Sequence, residues 1–312
     1  MHTEKDNDML QIIEADLPQI YEITDKIPEV AAGTGTVRGI QRLGGLTNHS
    51  YRVSLDSGDE YVVRIPGPGT EVLIRRDDEK ICTELASRLG IDAKLLYFGQ
   101  TGSKLSGYIE GAVTLSAAQM REPAVIPQIA DVLRRIHHCG ENTGVAFDVF
   151  DMAAHYEGII EEHAVPMFAD YPETKQAVMQ AKSWVSQHIH SELQPCHNDP
   201  LCENWVMGTD RLFLIDWEYA GMNDGMWDLA AVSIEAGYDE LCDQQLLAAY
   251  LGETTSVESL HFLASKIFVD YLWTLWAKAR VPYSGQAMED WAAERYARLK
   301  IFLKNFAKEL AL

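Results

Sequence analysis

His197-Asn198-Asp199-Pro200-Leu201-Cys202-Glu203-Asn204, with Asp216 twelve residues further on in Leu214-Ile215-Asp216-Trp217-Glu218, is the stretch that decides the fold. A histidine is followed by an aspartate two residues later, an asparagine five beyond that, and an aspartate that closes an apolar strand. Asparagine and aspartate oxygens are hard donors of the kind a magnesium ion takes. A further carboxylate can orient the proton of a hydroxyl. Phosphoryl transfer needs little more from a protein than this positioning and charge neutralisation. Asp199 is therefore the candidate base, and Asn204 and Asp216 the candidate magnesium ligands. His197 joins the catalytic set, its ring expected to brace the loop because Asp199 already fills the base role.

The same residue types also cap turns in solvated loops, so the flanking sequence matters. Residues 204–207 and 211–215 read as two short strands around a Gly208-Thr209-Asp210 turn. Such a hairpin is expected to return Asp216 to the neighbourhood of Asn204.

Working towards the N-terminus, Leu10, Ile13, Leu17, Ile20 and Ile23 recur at helical spacing and predict a helix over 9–24. Strands are expected over 36–43, 50–55 and 61–65, then a helix over 71–89 ending at Gly90, then strands over 93–98 and 104–109. The remainder reads as mostly helical, with long apolar-periodic stretches over 258–280 and 287–310. The catalytic hairpin supplies the only strands expected in that half. The pattern predicts an α+β, bilobal, protein kinase-like fold. A sheet-rich lobe over 1–111 would bind nucleotide phosphate, and a helical lobe over 112–312 would carry the catalytic loop, metal and acceptor site. The nucleotide would lie in the cleft between lobes, with Ile109 lining it near the Glu110-Gly111 crossing.

Gly44-Gly45-Leu46-Thr47-Asn48 falls between the first two strands. A Gly-Gly turn is an ordinary hairpin device, but here it stands where a kinase glycine-rich loop should, and it lets backbone approach phosphate. Arg64 ends the third strand, where protein kinases use a lysine; its planar fork suits phosphate oxygens. Glu79 is the candidate carboxylate that fixes it, with Glu84 as the fallback. A surface ion pair of little consequence is the plainer reading of these two.

Trp273 and Trp276 stand three apart and so share a helix face, and Trp291 opens the next helix. Glu218 and Tyr219 directly follow the metal aspartate. Indole faces with a carboxylate suit a quaternary ammonium ion, although an aromatic stripe also serves as core.

Composition narrows the classes. The chain has 312 residues and a formal net charge of −21, which repels nucleic acid and is compatible with a cationic small molecule. The opening residues lead into no apolar segment of a secretory signal, and no apolar run reaches membrane-spanning length. Cys82, Cys139, Cys196, Cys202 and Cys242 are scattered, without metal or disulfide spacing, so a cytoplasmic setting is expected.

On these motifs the sequence resembles the choline/ethanolamine kinase family, within the wider group that includes aminoglycoside phosphotransferases. Gly44 to Val53 is similar to its Gly-Gly-Leu-Thr-Asn-x-x-Tyr-x-Val loop, and Val63-Arg64-Ile65-Pro66-Gly67 to its arginine-bearing strand. Arg76-Asp77-Asp78-Glu79, Ile215-Asp216-Trp217-Glu218-Tyr219-Ala220-Gly221 and Trp273-Thr274-Leu275-Trp276 also resemble family segments. The sequence departs at Arg75, where the family often has Asn, at Leu201, where some relatives have Gln, and at Trp291, where relatives often carry Tyr. The resemblance implies ATP and magnesium dependence and phosphorylation of choline or a close amino alcohol. It also implies that Trp273, Trp276 and Glu218 line the ammonium site. Ethanolamine, thiamine or an aminoglycoside is the alternative acceptor, and an inactive nucleotide- or choline-binding module the alternative class.

Overall fold

The computed structural model describes residues 11–44, 48–67, 74–190 and 192–311. Its contacts divide the chain into two compact units, 1–114 with 205–219, and 115–204 with 220–312.

The first unit opens with a 3-10 turn at Glu14–Asp16 and helices α1 (Leu17–Thr24) and α2 (Pro28–Ala31). Pro18 stands in the first turn of α1, where a missing N–H costs nothing. Of the helix expected over 9–24, residues 9 and 10 lie outside the described residues, and α-helix begins only at Leu17. Strands β1 (Val37–Gly44), β2 (Asn48–Leu55) and β3 (Glu60–Pro66) follow, then α3 (Arg76–Arg88), β4 (Leu95–Phe98) and β5 (Lys104–Gly107). The helix expected from residue 71 thus starts at 76, because Arg75 is extended (φ −85°, ψ 104°); residues 71–73 lie outside the described residues. The five strands form one antiparallel sheet in the order β1-β2-β3-β5-β4.

Alternation decides which face of that sheet is buried. Tyr51, Val53 and Leu55 on β2, with Val63 and Ile65 on β3 and Leu105 on β5, pack against Ile20, Ile23 and Ile27. Burying each such side chain is worth roughly 1.5–3 kcal/mol before entropy is charged against it. This packing holds β3, and with it Arg64, in a fixed register.

The chain then runs through β6 (Val113–Thr114), α4 (Ala117–Met120), α5 (Ile126–His137), α6 (Val149–Glu162), α7 (Tyr171–His188), β7 (Gln194–Cys196) and a 3-10 turn at Cys202–Asn204. The expected hairpin is present as β8 (Trp205–Met207) and β9 (Leu212–Leu214). By packing it goes with the first unit: β6 pairs with β8, Thr209 N–H donates to Glu110 C=O, and Leu214 N–H donates to Ile91 C=O.

The second unit resumes with β10 (Gly221–Asn223), α8 (Met226–Ala236), α9 (Glu240–Leu251), α10 (Ser256–Ser284) and α11 (Gln286–Leu310). The expectation that the hairpin holds the only strands of this half is corrected: β7 pairs with β10. Three-residue strands are too short to show an alternation that sequence can report. Helix α10 is capped by Thr255 and Glu258 in a reciprocal box. It is buried on nearly every side from His261 to Ala279, as an axial helix should be. Gly285 (φ 68°) separates it from α11, against which it packs. No described helix is long and apolar enough to cross a membrane.

Candidate active site

The phosphate-facing candidates lie in the first unit. Arg64, on β3, is 4 % exposed. Its guanidinium bonds the Glu79 carboxylate on α3, the Asp216 carboxylate at 2.6 Å and the Gly102 carbonyl at 3.0 Å. Burial opposes a charge there, but the carboxylates of Glu79, Asp216 and Glu218 outweigh it and hold Arg64 above its ordinary pKa. The pair does not lie on the surface: the Glu79 side chain is fully buried and also takes Arg76 Nη1 at 2.6 Å. The fallback Glu84 is instead half-exposed, 3.9 Å from Lys80.

Asp216 has φ 69°, a left-handed conformation that few side chains adopt. It lies just after β9, and Trp217 Nε1 bonds Leu214 C=O at 3.0 Å to tighten the bend. Two residues on, Glu218 accepts Asn48 Nδ2 at 3.1 Å and lies 3.6 Å from Arg76. Burial and the Asp216 charge push the Glu218 carboxyl up to about 7. Asn48 thereby ties the start of β2 to the segment carrying Asp216. Of the glycine-rich loop, Gly45, Leu46 and Thr47 lie outside the described residues, and Gly44 ends β1. Ile109 is half-buried, against Gly208 of the hairpin turn, where an added Cβ would stand 3.0 Å from its Cγ2. Tyr219 is half-buried.

The catalytic loop lies in the second unit. Its fixed point is Asp228, fully buried in the first turn of α8. Asp228 Oδ2 accepts His197 N–H at 2.8 Å, and Oδ1 accepts Asn198 N–H at 2.7 Å. His137 Nε2 stands 3.0 Å from Oδ2, and Tyr250 OH 2.7 Å from His137 Nδ1. A buried carboxylate satisfied by two amides and an imidazole is a stiff anchor. His197 is buried, and its Nδ1 accepts Asp199 N–H at 3.3 Å, a bond from ring to loop backbone. Asn204 Nδ2 donates to Asp199 C=O at 2.9 Å, which sets the amide so that its oxygen is the end available to a cation. Asp199 is half-buried, and its charge adds to burial in raising the Tyr156 hydroxyl above its ordinary range.

The three tryptophans come together in the same unit. Trp273 and Trp276 meet edge to face with centroids 6.0 Å apart, and Trp276 meets Trp291 likewise at 5.8 Å. Resident cations approach this run: Arg295 lies 4.0 Å over the Trp291 ring and Arg280 lies 5.6 Å from that of Trp276. Arg295 is in turn held by Glu235 and by Asp270 at 3.1 Å.

Sequence reading missed Asp228, Tyr156, Glu235 and Arg295. Asp228 carried a usable signal, a single early charge in the otherwise apolar run Met226-Trp227-Asp228-Leu229-Ala230-Ala231. Tyr156 and Arg295 stand on α6 and α11, where aromatic and charged residues are routine, and Glu235 near the end of α8 is an ordinary helix-end charge.

A buried arginine–glutamate pair joining a five-stranded sheet to α3, a His-Asn-Asp loop anchored from a following helix, and a helical second unit define a protein kinase-like phosphotransferase. The choline/ethanolamine kinase family model matches residues 40–263. The chain belongs to that family, whose members transfer a phosphoryl group to an alcohol. It is 30 % identical over 263 residues to Protein LicA of Haemophilus influenzae, covering 81 % of this chain and 76 % of that one. A solved choline/ethanolamine kinase family protein from Mesorhizobium loti superposes with a TM-score of 0.81 at 30 % identity, over 95 % of this chain and 98 % of that one. The choline kinase LicA from Streptococcus pneumoniae gives a TM-score of 0.75 at 31 % identity, over 91 % and 98 %.

Proposed function

We propose that the protein moves the terminal phosphoryl group of ATP to the hydroxyl of choline, giving phosphocholine. The observation that carries the choice of acceptor is the edge-to-face run Trp273–Trp276–Trp291. A trimethylammonium group offers no hydrogen-bond donor and is best met by indole faces. The net charge of −21 favours approach of a cation. Glu218 and Tyr219 belong to this acceptor side of the proposal.

In this reading Arg64, steadied by Glu79, and the Gly44-Gly45-Leu46-Thr47-Asn48 segment hold the nucleotide, with Ile109 among the residues that bind it. Asp199 accepts the hydroxyl proton as the oxygen attacks phosphorus. Asn204 and Asp216 would hold magnesium, each offering the hard oxygen donor that ion takes. When bound there, the ion neutralises phosphate charge. The functional halves are 1–111 for phosphate and 112–312 for acceptor and base. The five free thiols support a reducing, cytoplasmic setting.

Phosphorus NMR of the protein with ATP, magnesium and choline, beside Asp199→Ala, tests this. A phosphocholine signal lost in the variant supports it. No signal with choline, but product with ethanolamine, thiamine or an aminoglycoside, would reassign the acceptor. Nucleotide binding without turnover on any of these would leave the inactive binding module.

A further inference from the structure

Val145-Ala146-Phe147-Asp148-Val149 alternates buried and exposed residues, so Val145, Phe147 and Val149 turn inward. Backbone bonds fix the stretch against β10: Met222 N–H donates to Val145 C=O at 2.7 Å, and Phe147 N–H to Met222 C=O at 3.3 Å. Phe147 meets Trp227 edge to face with centroids 5.4 Å apart, and Phe150 meets Phe268 likewise at 5.4 Å. These four rings wall a cavity of about 430 Å³ within the second unit. That volume falls in the range of roughly 300–1,000 Å³ that small-molecule sites occupy. None of Asp199, Trp273, Trp276 and Trp291 borders it. Trp227 and Asn223 do border it, and both also hold Asn198 of the catalytic loop, through Trp227 Nε1 to the Asn198 C=O at 2.9 Å and Asn223 Nδ2 to Asn198 Oδ1 at 2.9 Å.

The polar end of the cavity is a histidine. His261, on α10, borders the cavity and is 6 % exposed. Its Nε2 lies 3.0 Å from Asp224 Oδ2. A carboxylate only accepts, so Nε2 donates, and the neutral ring leaves Nδ1 as an acceptor. No described residue pairs with Nδ1, and that atom is not sealed from solvent. Its polar neighbours are engaged within the fold: Ser265 Oγ donates to the His261 C=O at 2.9 Å, and both ends of the Asn223 side chain are bonded. We propose that this cavity is a second small-molecule site, for an apolar body that carries a single hydrogen-bond donor, an alcohol or an amine. The rings receive the body and His261 Nδ1 receives the donor. A buried acceptor left unmet is costly, so a ligand of the same shape without a donor is selected against. Asp224 and Asp148 also border the cavity and disfavour an anionic head. The site is independent of the reaction proposed above.

The test is a saturation-transfer NMR titration of the whole protein with 2-phenylethanol, 2-phenylethylamine, ethylbenzene and phenylacetate, which share a body and differ in the head. The alcohol and the amine should each bind about tenfold more tightly than ethylbenzene, and phenylacetate should bind most weakly. In His261→Phe the preference over ethylbenzene should vanish, while ethylbenzene itself stays within about threefold of its affinity for the parent. Val185→Trp, on the half-buried wall that α7 contributes, should weaken the alcohol and the amine about tenfold or more, and decides the matter if His261→Phe does not fold. Trp276→Leu, away from the cavity, should leave these affinities within about twofold. The absence of saturable binding by both the alcohol and the amine overturns the inference, as does a preference over ethylbenzene that survives His261→Phe. Val185→Trp within about twofold of the parent overturns it too. So does loss of binding in Trp276→Leu, which would put the probes at the tryptophan run instead.

Discussion

Arg64 and Asp216 neutralise each other across 2.6 Å, the cation of β3 proposed for phosphate against the carboxylate after β9 proposed for the metal. Each is thus held by the other in the absence of the ligands proposed for it. Nucleotide phosphate would take the arginine while the metal takes the carboxylate, so both partners exchange together. Binding of nucleotide and magnesium should therefore be strongly synergistic. Titration calorimetry with ATP in chelator should give far weaker binding than with magnesium present, and equal affinities would contradict the exchange.

Removing Arg64 strands the fully buried Glu79. Leaving one member of a buried pair costs about 3–5 kcal/mol, although Arg76 at 2.6 Å supplies part of the compensation. Arg64→Met should lower unfolding stability by several kcal/mol in urea. Arg64→Lys should keep most of the stability but raise KM for ATP, because a point charge cannot serve Glu79, Asp216 and phosphate with one fork. A stable Arg64→Met would show the pair to be dispensable.

Asp199→Asn preserves shape while removing the proposed proton acceptor. General-base loss is worth roughly 10²–10⁴-fold in rate, so kcat should fall in that range with the thermal midpoint nearly unchanged. Tyr156, whose hydroxyl responds to the Asp199 charge, offers a control: its titration, followed by ultraviolet difference spectra, should shift downward in Asp199→Asn.

Trp276 lies between two other indoles. Trp276→Leu should raise KM for choline about fivefold to thirtyfold, the equivalent of about 1–2 kcal/mol of cation–π attraction, with KM for ATP unmoved. Ethanolamine, a smaller primary ammonium, should suffer less. Equal losses for both acceptors would mean that the ring serves packing alone.

Asp92 carries a pH signature. Burial pushes its carboxyl up to about 6, against the opposing pull of Lys104. A raised pKa means that the folded state holds the proton more tightly than the unfolded chain does. The contribution is therefore complete below the unfolded value near 4 and is lost as pH rises through about 6. A shift of this size corresponds to roughly 2–3 kcal/mol. Urea unfolding at pH 4, 5, 6 and 7 should show this loss in the parent and a flatter profile in Asp92→Asn; parallel profiles would exclude Asp92 as the source.

The strands of the first unit were legible because one face is buried: Tyr51, Val53 and Leu55 alternate with half-exposed residues, and turns at Asp56-Ser57-Gly58-Asp59 and Gln100-Thr101-Gly102-Ser103 mark the ends. Arg64 with Glu79 was legible for another reason, as a cation closing an apolar strand before an acidic helix start. Strands β7 and β10 were not legible, since their pairing joins three-residue segments over a long loop. The anchor at Asp228 was hidden by distance: it acts on His197 and Asn198 from thirty residues downstream, and no local spacing rule connects them. The resident arginines over Trp276 and Trp291 were equally hidden, because a stripe of aromatics does not state which faces are already taken.

The backbone passes between the two packing units at three places, after residues 114, 204 and 219. A gene fragment ending at residue 114 would lack the hairpin that pairs with β6, and would leave Arg64 without Asp216. The complementary fragment would carry that hairpin with no sheet to receive it. Neither piece is a module that splitting or shuffling could transplant intact. A nucleotide-handling half recovered in another protein would have to bring residues 205–219 with it as a separate insertion.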